Sequence, residues 1–258
     1  MAKNNIKIDN LSFSYDNQLV LNKINLDFEE GKLYSIIGPN GSGKSTMIKN
    51  ISKVLIPESG KILINDKDIA FLNNKELSQK MSVIHQNIRI DYDFTVAEIV
   101  MMGRSPHKRR LEEFNTRDQT IIEKYMKITN TWKLRNKFIT ALSGGEFQRV
   151  IAAKALSQET DIILLDEPTS NLDIQYQVEF LKIFSHLKTN KIIIAVLHDL
   201  NLASTFSDEI ILLDEGEVVS KGNPWQVMNK ENIKGIYHIP VEVIENPINK
   251  CPHVIPIL

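Results

Sequence analysis

The most informative segment of this 258-residue chain is Gly38-Pro39-Asn40-Gly41-Ser42-Gly43-Lys44-Ser45. It matches the pattern G-x-x-x-x-G-K-[ST], whose glycines let the backbone curl until successive N–H groups point into one concavity. A mostly apolar run, Leu33–Ile37, precedes the segment and indicates a buried strand. The apolar residues after it fall on one face of a predicted helix: Met47, Ile48, Ile51, Val54 and Leu55. A glycine-rich turn between strand and helix is the context of a phosphate-binding loop.

This loop predicts the chemistry of its polar residues. The helix after Gly43 adds the positive end of its dipole to the concavity, so the site attracts phosphate. We expect Lys44 to reach the β- and γ-phosphates of a nucleotide and the Ser45 hydroxyl to bind Mg²⁺. The alternative is a glycine-rich turn that happens to precede Lys-Ser, and the flanking strand and helix disfavour it.

A second segment supplies carboxylates. The apolar run Ile162–Leu165 predicts a buried strand, and Asp166 and Glu167 follow at its carboxyl end, where open α/β sheets bind ligands. We expect Asp166 to act on Mg²⁺ through water. Glu167 would polarise the attacking water as a general base, an effect worth ~10²–10⁴-fold in rate. For Asp166 and Glu167 taken alone, the alternative to a catalytic role is that both are merely solvated acids after a core strand.

A third segment, Leu142-Ser143-Gly144-Gly145-Glu146, predicts a second helix start that faces phosphate. Ser143 and Glu146 have the spacing of a capping box, and apolar residues at helical spacing follow. Two glycines in a first helical turn cost about 1 kcal/mol each relative to alanine, which indicates a specific need for them. We expect them to leave the helix N-terminus bare, so that phosphate oxygens can approach its N–H groups.

The composition restricts the class of protein. Lys and Arg number 31 and Asp and Glu number 32, and this net charge of −1 excludes a strongly basic protein held by nucleic-acid phosphates. We interpret the basic run His107–Arg110 as a solvated loop. A single cysteine, Cys251, indicates a reducing compartment, and Met1–Asn5 lacks the apolar core of a signal peptide. The longest apolar run, Ile192–Leu197, has six residues against the ~18 that span a bilayer.

The order of predicted elements indicates an α/β fold. Period-two alternation in the first sixty residues, as in Ile24-Asn25-Leu26-Asp27-Phe28, predicts half-buried antiparallel strands. Residues 70–157 are expected to be mainly helical, with an exposed loop over Gly103–Asn115. Short β-branched runs then alternate with helices, which predicts buried parallel strands. Five prolines in the last 35 residues predict an irregular tail packed on the outside.

Together these residues resemble the ATP-binding-cassette (ABC) ATPases. Leu142–Glu146 resembles the signature motif of that family, and Gly38–Ser45 and Asp166-Glu167 resemble its Walker motifs. The resemblance covers nearly the whole chain. It implies an α/β, P-loop NTPase fold with a RecA-like core, an N-terminal antiparallel β subdomain and a helical subdomain. Departures are few: Asn171 stands where many members have alanine, and Lys154 where arginine is common.

The resemblance also implies how the single domain, 1–258, is organised. The catalytic core with its β subdomain would occupy about 1–85 and 158–220. A helical subdomain that carries the signature motif would occupy about 86–157. The remainder, about 221–258, would be a C-terminal extension.

Further site residues are carried over from the motifs of the family. Tyr15 matches the aromatic residue that stacks on adenine, and Gln86 matches the glutamine that senses Mg²⁺ and the γ-phosphate and contacts the membrane partner. Asp173 ends the segment that matches the D-loop, and His198 matches the switch histidine at the γ-phosphate. The implied cofactors are ATP and Mg²⁺. The implied catalytic residues are Glu167, His198, Lys44 and Gln86, and the metal ligands are Ser45, Gln86 and Asp166. The implied nucleotide-binding residues are Tyr15, Gly38, Pro39, Asn40, Gly41, Ser42, Gly43, Lys44, Ser45, Thr46, Ser143, Gly144, Gly145, Glu146 and Asp173.

The family implies a homodimer in the ATP state. Each ATP would lie between the phosphate-binding loop of one copy and Ser143–Glu146 of the other. The second helix start then completes the phosphate cage in trans, as an arginine finger does. ATP closes the pair, hydrolysis reopens it, and integral membrane permease subunits use the motion. The chain would be a peripheral protein on the cytoplasmic face of the cell membrane, and no nucleic acid is expected as a partner.

One stretch points to a subgroup. Gly103-Arg104-Ser105-Pro106-His107 resembles the G-R-x-P-H stretch of ATPases that serve siderophore, haem and cobalamin importers, and Tyr237–Ile244 and Val254–Pro256 also resemble that subgroup. The alternative is a mere interhelical loop. The implied function is to bind and hydrolyse ATP for an importer of such a chelate, with a periplasmic or lipoprotein substrate-binding protein in the same system. The histidines show no metal-ligand spacing, so iron would belong to the cargo.

Two other functions stay open from the sequence: an importer ATPase for another substrate, and a non-transport cassette ATPase. Repair members of the family insert a long coiled coil between the two Walker motifs, whereas here Asp166 follows Lys44 by 122 residues without sustained heptads. Translation members usually carry two cassettes in one chain. An iron-sulfur cluster assembly ATPase fits the length. A GTPase is disfavoured because the guanine-binding string Asn-Lys-x-Asp is absent.

Overall fold

The computed structural model describes residues 4–86, 88–109, 112–170 and 172–257. They fall into two compact units. The first unit joins the chain up to Leu72 with the chain from Leu187 onward, and the second is Asn73–His186. The sequence interpretations that concern Arg110 and Asn171 lie outside the described residues.

Strands and helices follow one another along the whole described chain. In chain order they are β1 Asn5–Tyr15, β2 Gln18–Glu29, β3 Lys32–Ile37, α1 Lys44–Ile51, β4 Ser59–Ile64, β5 Lys67–Asp68, α2 Asn74–Lys80, β6 Met81–Ile84, α3 Val96–Met101, α4 Thr116–Ile128, α5 Gly144–Ser157, β7 Ile162–Asp166, α6 Ile174–Leu187, β8 Ile192–Val196, α7 Leu200–Phe206, β9 Glu209–Asp214, β10 Glu217–Gly222, α8 Pro224–Val227, α9 Lys230–Tyr237, β11 Val241–Glu245 and β12 Pro252–Pro256. Short 3₁₀ helices lie at Ile69–Phe71, Met102–His107, Trp132–Leu134, Ile139–Ala141 and Lys188–Asn190.

The first unit contains the predicted antiparallel sheet, in the order β2-β1-β4-β5. Ile6 pairs with Phe28 and Ile8 with Leu26, and all four side chains are buried. The intervening residues point the other way, because side chains alternate between the two faces of a strand. The period-two alternation in the sequence is therefore confirmed as a sheet with one apolar face.

A second sheet region of this unit places the phosphate-binding loop. Strand β3 pairs in parallel with β8 on one side and β9 on the other, and β10 pairs antiparallel to β9. Ile36 of β3 stands beside Val196 of β8, and the Leu197 N–H donates to the Ile36 carbonyl at 3.2 Å. Because parallel strands end at the same edge, the loop after β3 and the residues after β8 lie at one edge of the sheet.

The second unit packs helices around its own apolar cluster and pairs β6 in parallel with β7. The buried members of the cluster come from α3, α4, α5 and one 3₁₀ turn: Val96, Ile99, Val100, Ile122, Met126, Ile139, Val150 and Ala153. A capping box of Thr95 with Glu98 is present at the start of α3. Within the described part of the chain, no helix has the length and apolar character needed to cross a bilayer.

Two sequence expectations about element ends are wrong. Helix α1 stops at Ile51, and Lys53 takes a left-handed φ of 59°, so Val54 turns outward instead of continuing the apolar face. The tail is ordered: β11 and β12 form an antiparallel hairpin that buries Val241 and Val254. Two of its five prolines, Pro252 and Pro256, stand at the ends of β12, where a missing N–H costs the ladder least.

Only part of the segment Gly103–Asn115 is the exposed loop that the sequence predicts: Glu112–Asn115 is exposed and irregular, whereas the start of the segment is not. Met102–His107 forms a 3₁₀ helix, and the Arg104 side chain is 6% exposed. Arg104 Nε donates to Asp118 Oδ1 at 3.1 Å and its Nη1 to the Ser157 carbonyl at 2.7 Å. Lys108, assigned from sequence to a solvated run, pairs with Asp118 and is only 8% exposed. The buried carboxylate of Asp118, at the start of α4, requires charged partners, so Arg104 and Lys108 pack against it instead of extending into solvent.

Asp118 predicts a pH-dependent stability. Burial acts to raise the pKa of its carboxyl, but hydrogen bonds from Lys108, the Asn115 backbone and Arg104 lower it from 3.8 to about 2. A depressed carboxyl pKa stabilises the fold above pH 3.8, and this contribution is lost as the pH falls towards 2. We expect Asp118→Asn to lower the free energy of unfolding at pH 7 by about 2 kcal/mol.

Urea unfolding at several pH values measures this effect. The unsubstituted chain should lose more stability than Asp118→Asn between pH 4 and pH 2. The exposed Asp161→Asn serves as the control and should keep the full pH dependence. Parallel pH profiles for Asp118→Asn and the unsubstituted chain would contradict the assignment.

Candidate functional site

The phosphate-binding loop of the first unit depends on glycine at three positions. Gly38, Gly41 and Gly43 have φ values of 150°, 85° and 99°, which residues with a Cβ rarely adopt. A Cβ on Gly38 would lie 2.0 Å from the Leu213 carbonyl oxygen, and one on Gly43 would lie 2.9 Å from the Val20 carbonyl oxygen. The loop therefore fits closely between β2 and β9, with its curvature fixed by its neighbours.

Helix α1 begins at the end of this loop and presents its N-terminus without a side-chain cap. Helices α2, α3, α4 and α5 each begin with a capping box, so α1 differs from them. Its first turn carries no acidic residue that would repel an anion. The N–H groups and positive dipole end of α1 suit phosphate.

Lys44 lies inside the curve of the loop. Its side chain is buried, and its Nζ donates to the carbonyls of Gly38 at 2.9 Å and Pro39 at 2.6 Å. Ser45 is half-buried and Thr46 is buried in the same first turn, while Asn40 and Gly41 are exposed at the tip. The ammonium group and the loop amides thus belong to one small concave region.

The hairpin of β9 and β10 supports this loop. The N–H of Gly216, in the turn between β9 and β10, donates to the Ser42 carbonyl at 3.2 Å, and the Gly216 carbonyl accepts from the Asn22 N–H at 2.9 Å. A Cβ on Gly216 would meet the Val20 carbonyl oxygen at 2.4 Å. The sequence Asp214-Glu215-Gly216 is typical of a hairpin turn, but no local pattern indicates that this turn packs on the loop.

Two further residues of the first unit have the exposure that a ligand-contacting role requires. Tyr15 ends β1 and is 42% exposed, with its ring edge-on to Phe13 at a centroid distance of 4.8 Å. His198 is exposed and follows β8, at the same sheet edge as the phosphate-binding loop. Asp199 beside it caps helix α7 by accepting from the Asn201 and Leu202 N–H groups, which fixes the backbone after His198.

The second unit holds the acidic pair. Asp166 is buried as the last residue of β7, and Glu167 follows it with a left-handed φ of 49°. Gln86 Nε2 donates a short hydrogen bond to Glu167 Oε2. Both side chains line a pocket of about 260 Å³, together with Gly144 and Leu172. Strain at a non-glycine residue concentrates at functional sites, and here it falls on the predicted general base.

The start of α5 forms the predicted capping box. Ser143 Oγ accepts from the Glu146 N–H at 3.3 Å, and Glu146 Oε2 accepts from the Ser143 N–H at 2.9 Å. The Ser143 backbone N–H, followed by its hydroxyl, lowers the pKa of the Glu146 carboxyl. A Cβ on Gly144 would meet nothing within 4 Å, so this position is open as the sequence predicts.

Gly145 has a packing role that the sequence does not predict. A Cβ there would lie 2.8 Å from the ring of Tyr176 in α6, so the glycine makes room for an aromatic side chain. On the same ring, the Arg149 guanidinium lies 5.4 Å from the centroid. Asp173, which precedes α6, is exposed and is not among the residues that line the pocket.

The two glycines make a matched pair of predictions. We expect Gly145→Ala to lower the free energy of unfolding by about 1–3 kcal/mol, because the added methyl overpacks the Tyr176 ring. Gly144→Ala should be neutral or stabilise the chain by up to about 1 kcal/mol, since its site is open and alanine favours a helix. Denaturant unfolding of both variants measures the difference. Equal effects of the two substitutions would contradict the packing explanation.

Comparison with known proteins bears on this geometry. The family model described as ABC transporter matches residues 21–170. The chain is 41% identical to the uncharacterized ABC transporter ATP-binding protein MJ0089 of Methanocaldococcus jannaschii, over 98% of each chain. It is 34% identical to the ferric enterobactin transport ATP-binding protein FepC of Escherichia coli, over 96% of this chain and 93% of FepC.

Among solved structures, a chain of a metal-chelate type ABC transporter in an inward-facing conformation superposes with a TM-score of 0.85 at 25% identity. The match covers 100% of this chain and 98% of that one. The α/β P-loop fold with an antiparallel β region and helical elements is therefore confirmed. By motif set, matched length and fold, this chain belongs to the ABC transporter family and is one of its ATP-hydrolysing, ATP-binding proteins.

Proposed function

We propose that this chain is the ATPase subunit of an importer for a metal chelate of the iron-siderophore, haem or cobalamin type. The observation that carries the proposal is the near full-length similarity to a ferric enterobactin transport ATP-binding protein. The buried Arg104 supports it, because the G-R-x-P-H stretch has a built structural role here instead of forming a variable surface loop. Specificity for one chelate would lie in the partners that contact the cargo.

In this proposal the first unit binds ATP. Tyr15 stacks on the adenine, and the loop Gly38–Thr46 encloses the phosphates with its backbone N–H groups. Lys44 moves from the loop carbonyls to the β- and γ-phosphates, since phosphate oxygens are stronger acceptors for an ammonium group. The uncapped start of α1 supports this assignment.

Mg²⁺ is proposed as the metal, with Ser45, Gln86 and Asp166 as its ligands. A hydroxyl, an amide oxygen and a carboxylate are the hard oxygen donors that Mg²⁺ takes in preference to nitrogen or sulfur. The Gln86 amide fits this role, because its Nε2 is engaged by Glu167 and its Oε1 is the atom that would face a cation. When bound, Mg²⁺ offsets the negative charge of the β- and γ-phosphates.

Glu167 is proposed as the general base for the attacking water. Gln86 orients its carboxylate through the hydrogen bond to Oε2, and the left-handed backbone at Glu167 fixes the direction of the side chain. His198 would hold the γ-phosphate, and its place after β8 at the edge of the phosphate-binding loop supports that role. These groups act by positioning and by placing charge, as phosphoryl transfer requires.

Ser143, Gly144, Gly145 and Glu146 are proposed to act on the nucleotide of a second copy, together with Asp173. The N–H groups at the start of α5 would then complete the phosphate cage in trans. The open position of Gly144 supports this, because bulky phosphate oxygens can approach it. The pair would form with ATP bound and separate after hydrolysis.

The remaining partners follow from the transport role. Integral membrane permease subunits would bind the ATPase dimer on the cytoplasmic face of the membrane, and a periplasmic or lipoprotein substrate-binding protein would deliver the chelate. We also propose the division into a catalytic core at about 1–85 and 158–220, a helical subdomain at about 86–157 and a C-terminal extension at about 221–258. Gln86 would contact the permease, and it lines the same pocket as Glu167.

Co-expression with a metal-chelate permease from the same organism tests the proposal. A copurifying complex should hydrolyse ATP and take up a radiolabelled ferric siderophore, haem or cobalamin into vesicles. The same complex with Lys44→Ala should bind the permease and transport nothing. Failure to copurify, or ATPase activity that the permease leaves unchanged, would overturn the transport role.

A further inference from the structure

The backbone that follows the predicted general base is strained. Glu167 has a left-handed φ of 49° although it carries a side chain and precedes Pro168. A residue before proline is normally extended, so this conformation costs free energy and persists only where neighbours enforce it.

Two glutamines hold this segment by its carbonyl groups. Gln148 Nε2 donates to the Pro168 carbonyl at 2.7 Å, and Gln177 Nε2 donates to the Thr169 carbonyl at 3.1 Å. Pro168 and Thr169 are buried, so their carbonyls depend on protein donors for satisfaction. Of the two, the Gln148 bond is the shorter and lies one residue from Glu167.

Gln148 comes from a functionally distinct element. It lies in α5, less than two turns after the capping residue Ser143, and it lines the same pocket as Glu167 and Gly144. A helix of 14 residues moves as a rigid element over so short a distance. A displacement of the α5 start is therefore passed through the Gln148 amide to the backbone at Pro168.

We propose that Gln148 is a positioning residue that couples the start of α5 to the carboxylate of Glu167. The inference rests on the proposed function, in which Ser143–Glu146 contact the nucleotide of the second copy. Each copy then carries a direct mechanical link between its own general base and the ATP of its partner. When Ser143–Glu146 of one copy close on the nucleotide of the second copy, they set the position of Glu167 in their own copy.

Gln148→Met tests this link, because methionine keeps the length and volume of the side chain and removes the amide donor. We expect kcat for ATP to fall about 10- to 100-fold, since a small misplacement of a reacting group costs this much. The KM for ATP should change less than threefold. Gln148→Asn, which keeps the amide but does not reach Pro168, should show the same loss.

The matched control is Gln175→Met. Gln175 is an exposed glutamine of α6 whose amide donates to Glu179 Oε1 at 3.1 Å. It should keep the activity of the unsubstituted chain. Thermal unfolding within a few degrees across these variants would show that each one is folded.

A double-mutant cycle separates positioning from a general structural role. In a Glu167→Gln background, Gln148→Met should change the residual hydrolysis rate less than twofold, because no base remains to be misplaced. An equal fold-loss in both backgrounds, or no loss with Glu167 present, would overturn the proposal. Failure of Glu167→Gln itself to lower the rate would instead refute Glu167 as base, so the two failures are distinguishable.

Discussion

Replacing Glu167 by glutamine is expected to lower ATP turnover by about 10²–10⁴-fold while ATP binding is retained. The glutamine keeps the shape of the side chain and can still contact Gln86, but its amide cannot take a proton from water. Because the product state is not reached, the ATP-bound form should accumulate. Steady-state phosphate release and equilibrium binding of a fluorescent ATP analogue measure the two halves of this prediction.

The control for this substitution is Glu123→Gln. Glu123 is an exposed acid of α4 that pairs with Lys127 at 2.6 Å. It should leave turnover within twofold of the unsubstituted chain, because surface ion pairs of this kind contribute little. Near-normal turnover by Glu167→Gln would contradict the assignment of Glu167 as the general base. The strained backbone at Glu167 would then have no catalytic role.

The substitution Lys44→Ala is expected to lower hydrolysis by about 10²–10³-fold and to weaken ATP binding about 10- to 100-fold. The buried ammonium group lies within the curve of the phosphate-binding loop, 2.9 Å and 2.6 Å from two of its carbonyl oxygens. Its removal leaves the loop amides and the start of α1 as the remaining phosphate contacts. Isothermal titration with ATP and a hydrolysis assay report the two effects.

Lys49→Ala provides the comparison within the same helix. Lys49 lies in the last turn of α1, away from the loop, and should change ATP affinity less than twofold. If Lys44→Ala bound and hydrolysed ATP like Lys49→Ala, the phosphate-binding loop would be assigned wrongly. A loss of binding by both variants would indicate damage to α1 rather than a specific role of Lys44.

Short-range patterns predicted the elements that carry the chemistry. The segment Gly38–Ser45 predicted its strand, turn and helix, since each glycine serves a backbone conformation that other residues rarely adopt. The run Ile162–Leu165 predicted the buried strand that ends at Asp166. Ser143 with Glu146 predicted a capped helix start, because a capping box is formed by neighbours in the chain.

The sequence did not predict features that depend on distant partners. Gly145 makes room for Tyr176, which follows it by 31 residues, and no local pattern announces that contact. The sequence places Arg104 and Lys108 in an exposed loop, whereas in the fold both pair with Asp118 of α4. Gln148 and Gln177 have no spacing that marks them as partners of the Pro168 and Thr169 carbonyls. In each case tertiary packing assigns a role to a residue type that is common on surfaces.

Each ATP is proposed to lie between the phosphate-binding loop of one copy and Ser143–Glu146 of the other. The molar mass of the ATP-bound chain tests this arrangement most directly. Light scattering of Glu167→Gln with ATP should give twice the 29.5 kDa of one chain. Adding Ser143→Arg should return the mass to 29.5 kDa with ATP still bound, because the arginine side chain obstructs the surface offered to the partner's nucleotide. A dimer unaffected by Ser143→Arg, or an ATP-bound Glu167→Gln that stays at the mass of one chain, would contradict the account.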